Sequence, residues 1–169
     1  MSIDSNGDLN TRTLSVKRVA YMAVFIALSA VGALIKIPSP VGTIALDSAP
    51  GYFCGLAFGM VEGAGVIFLG HLLTAGVVGF PLGLPLHLFI GVQLAVWVLI
   101  FRWIFLRFGQ IPAAIAAIFL NGVVSAFTMY FVGGMGAVMG VLPFLLAGSA
   151  VNVIIALLVH RVVKAGKLI

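Results

Sequence analysis

Charge is what this sequence has least of. Only 8% of its 169 residues are Asp, Glu, Lys or Arg, against about 25% in an ordinary soluble domain. With 63% hydrophobic residues beside so few charges, the chain cannot cover a globule in water with polar surface, which excludes a soluble domain. Acid is scarcest of all: four acidic residues, of which Asp4 and Asp8 lie near the N-terminus and Asp47 and Glu62 stand far apart. A mechanism built on paired carboxylates therefore has no second partner. The single cysteine, Cys54, cannot close an intrachain disulfide and reads as a small packing residue in an apolar run. No GxxxxGK[ST] phosphate loop is present, so ATP hydrolysis by that machinery is excluded. His71 and His87 are separated by a loop at a spacing that fits no metal-ligand pattern. No metal or other cofactor is expected, and the chain does not read as an enzyme.

What the sequence has is a succession of continuous apolar runs. They do not alternate, which argues against a β-barrel, and at about 20 residues per span as many as six helices fit. The expected fold class is an all-α integral membrane protein with six transmembrane helices. Residues 1–16 read as a disordered cytoplasmic tail and residues 17–169 as one six-helix membrane domain. The apolar run after the tail is too long for a signal-peptide core. Helices are expected over about 17–35, 50–60, 64–78, 86–106, 112–132 and 143–163. Turns are expected at Glu62–Gly63 and at "RFGQI", and longer loops at "IKIPSPVGTIALDSA", "GFPLGLP" and "GGMGAVMG". All seven prolines then fall in loops or at helix starts, where the missing N–H forfeits no bond. The second helix is short: about 11 residues rise only ~17 Å, against a bilayer core of ~30 Å. Either residues 44–49 extend it, or it is tilted or re-entrant and shielded by its neighbours.

Basic residues set the orientation. Arg12, Lys17, Arg18, Arg102, Arg107, Arg161, Lys164 and Lys167 all fall on one side of a six-span map, and only Lys36, of nine basic residues, falls on the other. By the positive-inside rule both termini are cytoplasmic. The net charge of +5 is thus an orientation signal, and nucleic-acid binding is not expected.

The remaining polar residues gather toward the outer half. Lys36 and Asp47 flank the first outer loop, where an ion pair between them would simply shape the loop. His71 lies in the third helix and His87 opens the fourth. Gln93 and Trp97 share a face at i+4. Asn121, Ser125 and Thr128 share a face of the fifth helix, and Asn152 with Ser149 mark the sixth. Polar groups at such depth face protein or water. Interhelical hydrogen bonding and a pocket open to the outside both account for them. On the first helix, Ala23, Ala27 and Ala30 form a small-residue stripe, suited either to packing inside the bundle or to docking a separate membrane protein.

The six runs, the AxxxA stripe of Ala23 and Ala27, and above all "IKIPSPVGTIALDSAPGY", "GHLLTA" and "GFPLGLPLH" resemble the substrate-binding S component of energy-coupling factor (ECF) vitamin transporters. They are most similar to the subgroup assigned to alpha-ribazole, a nucleoside precursor of the cobalamin lower ligand. The resemblance spans about 20–161. It implies a subunit that captures a small molecule in an outward-facing pocket, beside a transmembrane coupling subunit and two cytoplasmic ATPase subunits. It points to Asp47, His87, Gln93, Asn121, Tyr130 and Asn152 as substrate-binding residues, and to Ala23 and Ala27 as the docking face. Another vitamin as substrate, a channel or self-assembling membrane protein, and a small membrane enzyme remain as alternatives.

Overall fold

The computed structural model describes the backbone of residues 5–39 and 42–169, and the side chains of residues 16–35 and 46–169. Helix α1 is Ser5–Gly32, so helical backbone begins ahead of the expected start at Lys17. Strands β1, Lys36–Ser39, and β2, Gly42–Ala45, follow as an antiparallel hairpin. Then come α2, Ala49–Ala57; α3, Met60–Val77; and α4, Leu84–Phe108. Helix α5, Gln110–Ile118, continues through a π-helical segment, Phe119–Val124, and a 3-10 segment, Ser125–Met129. Helix α6 is Tyr130–Ala165.

Among the described residues, three stretches are long and apolar enough to cross a membrane: α3, α4 and the run Gln110–Ala165. The last has 56 residues, far more than one span can use at ~1.5 Å per residue. It breaks at Gly133 (φ −152°) and Gly134 (φ +63°), the second in a conformation that glycine adopts without penalty. Beyond the break the chain returns and packs along α5 and its two irregular segments. The outer surface is apolar: Phe131, Leu34 and Ile111 are each more than two-thirds exposed.

Four expectations are corrected. First, the loop after α1 contains a two-stranded hairpin, with Ile37 opposite Ile44 and Pro38 opposite Thr43. Ile and Thr favour extended backbone. Second, the tight turn between α2 and α3 falls at Phe58–Gly59, where Gly59 has φ +155°, and Glu62 and Gly63 lie inside α3. The positive end of that helix suits the Glu62 carboxylate, which pairs with Arg18 Nε at 2.6 Å.

Third, "GGMGAVMG" is helical after its first two residues. Val138 and Val141 are buried there against Ala126 and Met129, and that burial outweighs the low helix propensity of glycine. Fourth, Pro143 consequently sits inside α6 and not at its start. Its ring removes one i→i−4 bond.

Helix α2 is the centre of the molecule. Its nine residues are contacted by α1, α3, α4 and α6, and Gly51 through Leu56 are all buried. Tyr52, Cys54, Val66, Val98, Phe101 and Val153 form the core around it. Of residues 44–49 only Ala49 joins it, so the shielded alternative describes it. A helix this short leaves orphan N–H and C=O groups at both ends inside an apolar bundle, and side chains from other helices meet them. At the N-terminal end, Asn152 Oδ1 on α6 accepts from the Ser48 and Ala49 N–H groups at 3.0 and 2.8 Å. At the C-terminal end, Arg102 Nη1 on α4 donates to the Gly55 carbonyl and to the Leu56 carbonyl, the latter at 2.9 Å. The guanidinium also meets the negative end of the α2 dipole.

Candidate functional site

Polar side chains segregate to the two ends of α2. Its C-terminal end holds Arg102 and, across the turn, the Arg18–Glu62 pair. Its N-terminal end, directly after the hairpin, holds the candidate site. Asp47 sits there in the bend before α2, buried, with Oδ1 accepting from the Ser48 hydroxyl at 3.1 Å. Its other oxygen, Oδ2, lies 3.9 Å from His71 Nδ1 on α3. The far nitrogen of that ring, His71 Nε2, lies 3.2 Å from His87 Nδ1 on α4. A line of three titratable groups thus runs from the bend through α3 to the first turn of α4.

Burial pushes the Asp47 carboxyl up to about 6, and the Ser48 hydroxyl opposes the shift. Desolvation disfavours the charged form, while a donated hydrogen bond favours it. The Thr74 hydroxyl, one turn beyond His71, faces the same carboxylate without a hydrogen bond of normal geometry. His87 is 94% buried, being 6% exposed, and its outer nitrogen Nε2 has no partner among the described residues. The Phe80 ring packs edge-on against His87 at 5.7 Å. Phe80 holds φ +49°, a left-handed conformation rare for a bulky residue, and strain of about 1–3 kcal/mol of this kind collects at functional sites.

A second polar group lies between α4 and the segments after α5. Thr128 Oγ1 donates to Gln93 Oε1 at 3.3 Å, and Trp97 Nε1 donates to Ser125 Oγ at 2.9 Å. Two faces that the sequence offers separately, Gln93/Trp97 and Ser125/Thr128, are therefore one zipped seam. Asn121, buried, sits a turn from Ser125 in the π-helical segment, a distortion frequent at functional sites.

The structure thus brings Asp47 and His87 together through His71, with Asn152 alongside as the cap of α2. Gln93 and Asn121 belong to the second seam. Tyr130 joins neither: it is 55% exposed and stacks edge-on with Phe131. Ala23 and Ala27 are exposed, whereas Met22, Phe25, Ile26 and Ser29 are the α1 residues turned toward the bundle. Ala30, the third residue of the stripe, is half-buried. The Lys36 side chain lies outside the described residues, so its pairing with Asp47 does too.

Thr74 is the site residue that sequence reasoning left out, and His71, placed there among the outer polar groups, was not among the expected substrate-binding residues. Their i, i+3 spacing on one face of α3 was the available signal. Among the described residues no cluster of three or more His, Cys, Asp or Glu is arranged to hold a metal ion. His71 presents opposite nitrogens to its two neighbours, which makes a relay and not a chelate. A groove of about 280 Å³ between α1, α2 and α6 is lined by apolar side chains such as Phe25, Leu28, Phe53 and Ile155, and the Asp47 cluster is not part of its lining. The chain matches no family model and no curated protein sequence.

Proposed function

We propose that this protein is the substrate-binding subunit of an ECF-type importer, a multi-pass cell-membrane protein that captures a vitamin or vitamin precursor from outside, with alpha-ribazole as the best candidate. In this reading α1 to α6 make six passes with both termini in the cytoplasm. The short α2 is held inside the bundle, and the β1–β2 hairpin is the lid. The observation that carries the reading is the buried Asp47–His71–His87 line, which begins two residues after that hairpin and ends in a nitrogen with no partner among the described residues. Buried polar atoms are almost always paired, and Ser149 Oγ and Thr74 Oγ1, on α6 and α3, likewise have no hydrogen-bond partner among the described residues. Several unsatisfied groups at one end of a bundle suit a polar ligand that completes their hydrogen bonds. A nucleoside offers hydroxyls and a flat base for such a place. The concentration of arginines at the opposite end agrees with a cytoplasmic side there.

The test is retention and binding. Detergent-purified protein incubated with alpha-ribazole is expected to carry one molecule per chain in native mass spectrometry, with affinity at least tenfold weaker in Asp47→Ala. Retention of a different vitamin would keep the transporter class and replace the substrate. Retention of nothing would remove the binding function. Unchanged affinity in Asp47→Ala would take Asp47 out of the site.

The same reading makes the exposed Ala23/Ala27 face the dock for a transmembrane coupling subunit, itself joined to two ATPases. Small side chains let a partner helix approach closely. Replacing both alanines by leucine is expected to abolish co-purification with the coupling subunits and to leave ligand binding intact. Co-purification that survives the double substitution moves the docking surface elsewhere.

A further inference from the structure

The Asp47–His71–His87 line has a direction, and a single proton reverses it. Two neutral imidazoles whose nitrogens lie 3.2 Å apart must pair one donor with one acceptor. With Asp47 ionised, its Oδ2 faces His71 Nδ1 at 3.9 Å, so the His71 proton rests on Nδ1, the nitrogen beside the negative charge. His71 Nε2 is then a lone pair. It accepts from His87 Nδ1–H, and His87 Nε2 is left as a lone pair, buried and without a donor among the described residues.

One added proton undoes this order. If it settles on Asp47 Oδ2, the new O–H donates to His71 Nδ1, which must then be a lone pair, and the His71 proton stands on Nε2. If it settles on the imidazole, His71 carries protons on both nitrogens. In both cases His71 Nε2 becomes the donor, His87 Nδ1 the acceptor, and His87 Nε2 an N–H. We propose that these three residues form a one-proton polarity switch, in which His87 Nε2 accepts a hydrogen bond from an O–H or N–H of a bound ligand near neutral pH and donates one, to a ring nitrogen or carbonyl, after protonation. The outcome is the same at either end of the Asp47 Oδ2–His71 Nδ1 contact, and the titration belongs to the pair and not to one residue.

The surroundings leave few competing groups. Asp47 faces Ser48 in its own segment, His71 and Thr74 on α3, His87 on α4 through His71, and on α6 the non-titrating Asn152. Against His87 stands the apolar Phe80 ring. The charged groups Arg18, Glu62 and Arg102 lie at the other end of α2. Lys36, in β1, is the remaining nearby cation in the sequence, and its side chain lies outside the described residues. Burial places the Asp47 carboxyl at about 6, so the change is expected between pH 8 and pH 5.

The switch belongs to the ligand-free protein, so its test is independent of the substrate assigned above. The chain has three histidines, and His160→Gln assigns the third. Nitrogen-15 NMR of histidine-labelled, ligand-free protein in detergent is expected to show His87 protonated on Nδ1 at pH 8 and on Nε2 at pH 5. In Asp47→Asn that change is expected to disappear from this pH range. Lys36→Gln is expected to retain it, at a midpoint no lower than wild type. Protonation of His87 on Nε2 at pH 8 in the wild type would overturn the proposal, even if Asp47→Asn fails to fold. The same pH response in Asp47→Asn as in the wild type would also overturn it. Absence of alpha-ribazole binding would sink the substrate and leave the switch standing.

Discussion

Asn152→Leu is expected to destabilise the protein by about 3–5 kcal/mol and to lower its unfolding midpoint in detergent by about 10 °C. One side-chain oxygen on α6 meets the N–H groups of both Ser48 and Ala49, at 3.0 and 2.8 Å, while the amide nitrogen donates back to Gly148 O at 2.9 Å. The site is 2% exposed, so no water replaces the lost acceptor. Leucine has similar bulk and leaves two buried N–H donors bare, each costing about 1–3 kcal/mol. An internal control lies one turn away. Ser149 is equally buried and polar, but its hydroxyl has no partner. Ser149→Ala is therefore expected to be neutral or slightly stabilising. Thermal unfolding of the two variants, followed by tryptophan fluorescence or circular dichroism, decides the matter. Equal, small shifts would mean that Asn152 does not hold α2 in place.

This double use of Asn152, as site neighbour and as helix cap, separates what the sequence states locally from what it leaves to the fold. The apolar runs and the brevity of α2 are local properties and are legible, whereas the boundaries at Glu62–Gly63 and Pro143 are not. So is the i, i+4 pairing of Gln93 with Trp97, and of Asn121 with Ser125. Which face meets which is a long-range property. Nothing in the spacing of Trp97 and Ser125 announces that one donates to the other, or that Asp47 faces a histidine 24 positions away. Arg102 shows the same gap. Its place near the end of an apolar run marks it as an orientation signal, and in three dimensions its guanidinium closes the C-terminal end of α2. Glycine is the most ambiguous residue of all. Gly133 and Gly134 break a helix, as composition suggests, whereas Gly136 two residues on is simply helical.

Gly63, which reads as half of a turn, is instead a contact between two helix backbones. A Cβ on Gly63 would lie 2.4 Å from Gly55 Cα, 2.7 Å from Gly55 N and 2.7 Å from Val98 Cγ1. The first two are backbone atoms of α2, which cannot swing aside as a side chain end can. Nor can α2 retreat as a body, because Asn152 and Arg102 hold its two ends from α6 and α4. Gly63→Ala is therefore expected to cost about 3 kcal/mol or more, at the upper end of overpacking effects, and to cut the yield of monodisperse protein sharply. Gly136→Ala provides the contrast. That position is helical, and a methyl group there would meet no atom within 4 Å, so alanine is expected to stabilise it by about 0.5–1 kcal/mol through helix propensity alone. Size-exclusion profiles and thermal midpoints of the two Gly→Ala variants measured side by side separate backbone contact from propensity. If both substitutions are tolerated alike, α2 and α3 do not touch at Gly55 and Gly63, and the shielding that lets so short a helix stay buried must come from elsewhere.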